Sequence, residues 1–297
     1  MSPGVGRPYG AKRVCSILGI ARSSFYSWRQ ARMNSSQPSR RSRGPVPEVD
    51  DDRLLSFIRD TIDTSPFHGE GHRKIHARIR RTKGIRVGRR RVLRLMRENH
   101  LLAPGRVPKG EPNLHEGHIV TDEPNVMWGT DGARVVTSDD GNVWVFATLE
   151  HWNAECLGWH VAEWGNRFAA LEPVRQAVES QFGAACGDVA RGVALRHDHG
   201  SQYTSDDFQA ELRFLGIQAS PAFVREPETN GVAERFFRTL KEQVIHGRVY
   251  RNVRELRDAI GQFVQTYNHH WTLEKLNYLS PIEARIAWMR SNELKAA

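Results

Sequence analysis

The chain has 297 residues, is 39% hydrophobic and carries a formal net charge of +9. No apolar run approaches the roughly 20 residues of a membrane helix, and nothing near Met1 reads as a signal peptide. Three cysteines without a close pair, Cys15, Cys156 and Cys186, argue against a disulfide scaffold or a cysteine-ligated zinc site and fit a reducing cytoplasm. The charge is unevenly spread. Residues 1–50 carry nine Lys/Arg against Glu48 and Asp50, and residues 71–97 carry twelve with no acid. The remainder is net acidic, so a polyanion-binding part is joined to a part with other work, and nucleic acid is the expected polyanion.

In chain order, Ala11 to Leu18 and a segment starting near Ser23, a candidate cap, predict two short helices around Gly19. Residues 1–32 thus read as a partial helix-turn-helix segment, and the Ser/Pro/Arg-rich residues 33–50 as a linker. Apolar spacing then predicts helices over Asp51–Thr64, His72–Lys83 and Gly88–Asn99. Residues 51–103 therefore read as a basic helix-turn-helix domain. Its acid-free cations would repel one another without an anionic partner, which makes Arg73, Lys74, Arg89, Arg90, Arg91 and Arg94 candidate DNA contacts. His68, His72, His76 and His100 have no cysteine beside them to suggest zinc. Residues 104–120, rich in Pro and Gly, read as a second linker.

From residue 121 the period changes to strands. Val126–Thr137 and Val143–Leu149 flank a hairpin turn at Asp139-Asp140-Gly141-Asn142. Leu157–Val161, a helix over Arg167–Phe182, a strand over Val193–His197, a helix capped by Ser205 and a strand over Ile217–Ser220 follow. The order defines an α/β layer with a mixed sheet. A last loop leads to Asn230, a candidate N-cap, and a helix. On it Ala233, Phe236, Phe237, Leu240 and Val244 share one face at about 100° per residue, while Glu234, Arg238 and Lys241 share another. If the strands carrying Asp131 and Asp198 are neighbours, those carboxylates meet and Glu234 can supply a third. Three hard oxygen donors suit Mg²⁺ or Mn²⁺, and two such ions could act on a phosphodiester. Asp139 and Asp140 are turn residues, and Asp206 and Asp207 fit a helix first turn. His199 could orient a water or contact a phosphate, or be a satisfied polar side chain.

The segments Trp128-Gly129-Thr130-Asp131, Arg196-His197-Asp198-His199-Gly200-Ser201-Gln202-Tyr203 and Asn230-Gly231-Val232-Ala233-Glu234-Arg235-Phe236 resemble the DDE signature of insertion-sequence transposases of the IS-three type, with 35 residues between Asp198 and Glu234. Gly71-His72-Arg73-Lys74-Ile75-His76 and Tyr267-Asn268-His269-His270 are similar to flanking parts of its second reading-frame product, so the resemblance covers most of the chain. It implies an RNase H-like five-stranded core with flanking helices over residues 121–290, preceded by all-α DNA-binding modules. It implies DNA cleavage and strand transfer, with Asp131, Asp198 and Glu234 as catalytic metal ligands for Mg²⁺ or Mn²⁺, two ions in all. Arg238 and Lys241 would face DNA phosphates. The implied partners are element-end and target DNA, further copies of the chain, and the product of an upstream reading frame. The chain departs from the common pattern at Arg196-His197 and at Pro227-Glu228-Thr229, which leaves the three carboxylates intact. A nuclease of the same fold without strand transfer, and a DNA-binding regulator from a partial product, are the alternative readings.

Overall fold

The structure, a computed structural model, describes residues 9–33, 47–104, 121–222 and 230–296. Most of both predicted linkers, residues 34–46 and 105–120, and residues 223–229 of the loop before Asn230 lie outside them. The chain divides into two units, Met1–Pro47 and Glu48–Ala297. In the first, α1 (Ala11–Ile17) and α2 (Arg22–Met33) are joined through Gly19, and Cys15 is buried. Ser23 was expected to cap α2, but the helix starts one residue earlier. The carbonyl of Ala21 already accepts from Phe25 N, which places Ser23 inside the first turn.

In the second unit, α3 (Asp51–Asp63), α4 (His72–Lys83) and α5 (Arg89–Glu98) enclose a small core of Leu54, Ile58, Ile75, Ile79, Val92, Leu95 and Met96. These are the positions an amphipathic period puts on one face. The Asp50 side chain caps α3 by accepting from Arg53 N at 2.7 Å. Phe67, between α3 and α4, packs instead into the larger core beside the sheet, edge-on to Trp271.

The sheet is built from β1 (Met127–Thr137), β2 (Gly141–Glu150), β3 (Cys156–Ala162), β4 (Ala194–His197) and β5 (Gln218–Pro221) in the order β3-β2-β1-β4-β5. The β1–β2 and β2–β3 pairs are antiparallel, and β1–β4 and β4–β5 are parallel. A meander followed by two parallel strands is the RNase H-like mixed sheet. The β1–β2 turn needs a positive φ at Gly141 (66°), and Asp140 in that turn accepts from Val253 N at 2.7 Å, tying the hairpin to the start of a helix more than 100 residues downstream.

Alternation along the strands sorts the side chains onto two faces. Trp128, Phe146, Leu157 and Leu195 pack on one face with α6 (Arg167–Phe182) and α8 (Asp206–Leu215); the short α7 (Ser201–Thr204) precedes α8. Ala133, Val135, Val143, Val145 and Ala147 point to the other face, against α9 (Gly231–Leu240) and α10 (Val253–His270). Phe236 anchors α9 there, with ring contacts to Phe263 and Tyr267. After Leu240 the backbone widens into a π-helical turn, Lys241–Ile245, where sequence periodicity had extended a regular helix to Val244. Val244 remains buried. The chain ends in α11 (Pro281–Ala296). Among the described residues no helix is long and apolar enough to cross a membrane.

Candidate active site

Asp131 lies on β1 two residues before Ala133, so it shares the face that packs on α9. Within the parallel ladder Met127 pairs with Ala194, Trp128 with Leu195 and Gly129 with Arg196. The same register continued two residues further brings Asp131 level with Asp198, which lies one residue past the end of β4. The alternation of Leu195, Arg196 and His197 also gives Asp198 the α9 side: Leu195 and the His197 ring pack on the opposite core, against Tyr203 and Phe208. Each aspartate has one carboxylate oxygen engaged locally. Asp131 Oδ1 accepts from Gly132 N and Asp198 Oδ1 from Gly200 N, both at 2.8 Å.

The third carboxylate comes from α9. Its buried face is Ala233, Phe236, Phe237 and Leu240, the set expected from periodicity, and Glu234 and Arg238 are exposed. Lys241 is half-buried in the first position of the π-helical turn. The electrostatics join these groups. Burial pushes the Asp131 carboxyl up from 3.8 to about 6; the charges of Asp198 and Glu234 push the same way, and the Gly132 N–H and Lys241 oppose them. The buried Tyr203 phenol, beneath this end of the sheet, is likewise pushed well up by desolvation and then by Asp131 and Asp198.

The donor set fits a hard divalent cation: three carboxylates, no sulfur, and mutual repulsion that a cation would relieve. Among the described residues no three His, Cys, Asp or Glu side chains are gathered closely enough to hold a metal ion. Asp139 and Asp140 sit at the β1–β2 turn and Asp206 and Asp207 in the first turn of α8, as expected. His199 Nε2 hydrogen-bonds the carbonyl of Ala222 at 2.7 Å, which requires that nitrogen to carry the proton.

Asn230 departs from expectation. It stands at the N-cap position of α9, but its side chain makes no capping bond. Nδ2 instead donates to the carbonyl of Thr130, the residue before Asp131, at 2.9 Å within the protein. Sequence reasoning missed this partner because it lies 100 residues away. The one local signal was Gly129, where a Cβ would stand 2.7 Å from Asn230 Oδ1 and 2.9 Å from His151 Nε2. Burial, with the charges of Lys275 and Arg196, holds His151 down at about 4.

The basic module also differs in its electrostatics. Its cations find acids outside their own run, so the inference from a missing internal acid to an external anion is weakened. Arg73 pairs with Glu274 at 2.9 Å and Arg89 with the same carboxylate at 3.8 Å. Arg78 pairs with Glu70, Arg81 with Glu283, and Arg91 and Arg94 with Asp51. Lys74 lies over the Trp271 ring and 3.9 Å from Glu70. Arg90 is exposed, and no carboxylate partner is recorded for it among the described residues. Glu283 was partly legible: Ser280 and Glu283 form a reciprocal capping box at the start of α11.

A mixed five-stranded sheet in the order β3-β2-β1-β4-β5, with α9 packed on the face that carries Asp131, has the architecture of an integrase-type core. Residues 215–281 match the integrase core domain family and residues 50–109 the HTH-like domain family. The integrase match contains Glu234 and starts after both aspartates. The transposase InsD for insertion element IS2A/D/F/H/I/K of Escherichia coli is 28% identical over 287 residues, covering 94% of this chain and 92% of the relative. The insertion element IS2A uncharacterized 48.2 kDa protein of Escherichia coli is 28% identical over 290 residues; the chain spans 66% of its length. Among solved structures, the catalytic core domain of BIV integrase matches 58% of this chain and 99% of its own, with a TM-score of 0.41 and 15% identity. The chain carries an HTH-like domain and an integrase core domain and is similar over most of its length to insertion-element transposases.

Proposed function

We propose that the chain cuts DNA at the ends of an insertion element and joins the ends to a target, with Asp131, Asp198 and Glu234 holding Mg²⁺ or Mn²⁺, in all two ions. The observation that supports this reading is the β1–β4 register, whose last pair, Gly129 with Arg196, lies two residues before Asp131 and Asp198, with the helix of Glu234 packed on the face of β1 that carries Asp131. Bound there, divalent cations would activate the attacking oxygen and offset charge on the phosphodiester. The chain's own groups set the conditions for that. Burial of Asp131 makes an unneutralised carboxylate costly, which favours cation capture. Lys241 lies close enough to Asp131 to be felt by its carboxyl and, with Arg238 on the exposed side of α9, offers positive charge to a phosphate backbone.

Residues 51–103 serve as the DNA-holding module, largely through phosphates, and residues 121–290 as the core. Joining two element ends to one target calls for more than one core, so the working form is an oligomer on DNA, and the product of an upstream reading frame is a candidate partner. The test is joining of a 3′-hydroxyl element-end duplex to target DNA with Mg²⁺. Asp198→Asn should abolish joining and retain DNA binding. Cleavage without joining by the unaltered chain would favour the nuclease reading, and DNA binding with neither would favour a regulator.

A further inference from the structure

The reading above leaves open what sets the distance between Glu234, on a helix, and Asp131, on a strand. The two lie 103 positions apart in sequence, and two carboxylates repel rather than hold each other. The helix must therefore be indexed against the strand by something else. The apolar packing of Phe236 and Leu240 holds α9 on the sheet. Apolar contact is non-directional, however, and leaves a helix free to slide or rotate by a fraction of an ångström. A directional bond next to the carboxylates would remove that freedom.

Asn230 makes such a bond. It is 5% exposed and directly precedes α9, and its Nδ2 donates to the Thr130 carbonyl at 2.9 Å. Thr130 directly precedes Asp131, and Asn230 is one helical turn before Glu234. The ladder between β1 and β4 ends at the Gly129–Arg196 pair, so Thr130 is the first β1 residue beyond it. The side chain that would otherwise cap α9 is given up to this contact. The space for it exists because residue 129 has no Cβ, which would meet Asn230 Oδ1 at 2.7 Å. Asn230 Oδ1 and His151 Nε2 both border that space, buried and without a hydrogen-bond partner among the described residues. A polar side chain held in a buried place at the expense of its cap has a task there other than local helix stability.

We propose that Asn230 is the positioning residue of this site: its amide clamps the start of α9 to the β1 backbone beside Asp131 and so holds Glu234 on the side of the sheet that carries the two aspartates, from where a bound ion draws it in. The proposal rests on the metal-site reading given above. Asn230 touches neither metal nor DNA in this role; it acts through Glu234.

The test is Mn²⁺ binding to the full chain without DNA, read by electron paramagnetic resonance, beside thermal unfolding in EDTA. Asn230→Ala should raise the Mn²⁺ concentration for half-saturation at least ~10-fold, the size seen when outer-shell partners of metal ligands are removed. Its metal-free melting should remain a single transition. Excess Mn²⁺ should restore strand transfer to Asn230→Ala and fail to restore it to Glu234→Gln, a split that loss of general stability would not produce. Gly129→Ala, which leaves Asn230 in place but intrudes on it, should move the Mn²⁺ half-saturation in the same direction. If Asn230→Ala does not fold, the isosteric Asn230→Asp, which cannot donate to Thr130 when ionised, carries the same expectation. Mn²⁺ binding by the folded Asn230 variant equal to that of the unaltered chain, while Asp198→Asn loses it, overturns the positioning role alone. No Mn²⁺ binding by the unaltered chain removes the metal-site reading itself, and the positioning role with it.

Discussion

Replacing Asp131 by Asn should make the metal-free protein more stable and inactive at once. The carboxyl of Asp131 is raised from 3.8 to about 6, chiefly by burial and then by Asp198 and Glu234. A carboxyl with a folded-state pKa above its unfolded value binds protons more readily when folded. Its ionisation therefore costs stability: the cost is absent below 3.8, grows as pH rises through the window to about 6, and is complete above it. The gap corresponds to a ceiling of about 3 kcal/mol, and partial exposure of the residue brings the expected gain to about 1–2 kcal/mol. The Asn amide oxygen can keep the bond from Gly132 N that Asp131 Oδ1 accepts, so little else is lost. Urea unfolding in EDTA at pH 7 should show the variant more stable than the parent by this amount. The difference should shrink as pH is lowered toward 4, because the parent gains stability there and the variant does not. Added Mn²⁺ should stabilise the parent and leave the variant unmoved. An Asp131→Asn protein that is less stable than its parent at pH 7, or a difference that does not change with pH, would refute the argument.

Three further outcomes follow from the charged surface. Arg90 is exposed and has no recorded carboxylate partner among the described residues, so Arg90→Ala should weaken DNA binding across sequences and lower the log–log salt slope by about 0.9. Arg81→Ala, which removes an intramolecular pair with Glu283, should leave that slope alone; titrations at several salt concentrations distinguish the two. Glu283 is held at about 2, first by the hydrogen bond from Arg81. A depressed carboxyl contributes stability above its ordinary value of 4.5 and loses it as pH falls from there to about 2. The pair is partly exposed, so Glu283→Gln should cost less than about 1 kcal/mol at pH 7 and nothing at pH 2, read from urea midpoints.

The parts of this fold written in short-range pattern were legible in the sequence. The five apolar positions of the α9 segment recur at helical spacing, and all five are buried. The turn chemistry at Asp140-Gly141 announced the β1–β2 hairpin, and Ser205 caps α8 as its position suggested. What stayed hidden depends on partners distant in sequence. Asn before a helix reads as a cap on local grounds, and only the tertiary fold supplies the Thr130 carbonyl that captures it. Arg73 and Arg81 read as unpaired because Glu274 and Glu283 lie about 200 residues downstream. The widening of the chain after Leu240 has no composition signal. For the carboxylates, the sequence supplied residue types and the 35-residue interval. The strand register that brings Asp131 level with Asp198 is a property of the assembled sheet.

The central claim is that these three carboxylates are one metal site. Anomalous scattering from manganese in crystals of the full chain tests it most directly. A manganese peak is expected between Asp131 and Asp198, with Glu234 drawn onto the same ion or a second one beside it. Manganese bound only at other acidic groups, such as Asp139 and Asp140 at the hairpin turn, with the three carboxylates bare at saturating metal, would contradict it.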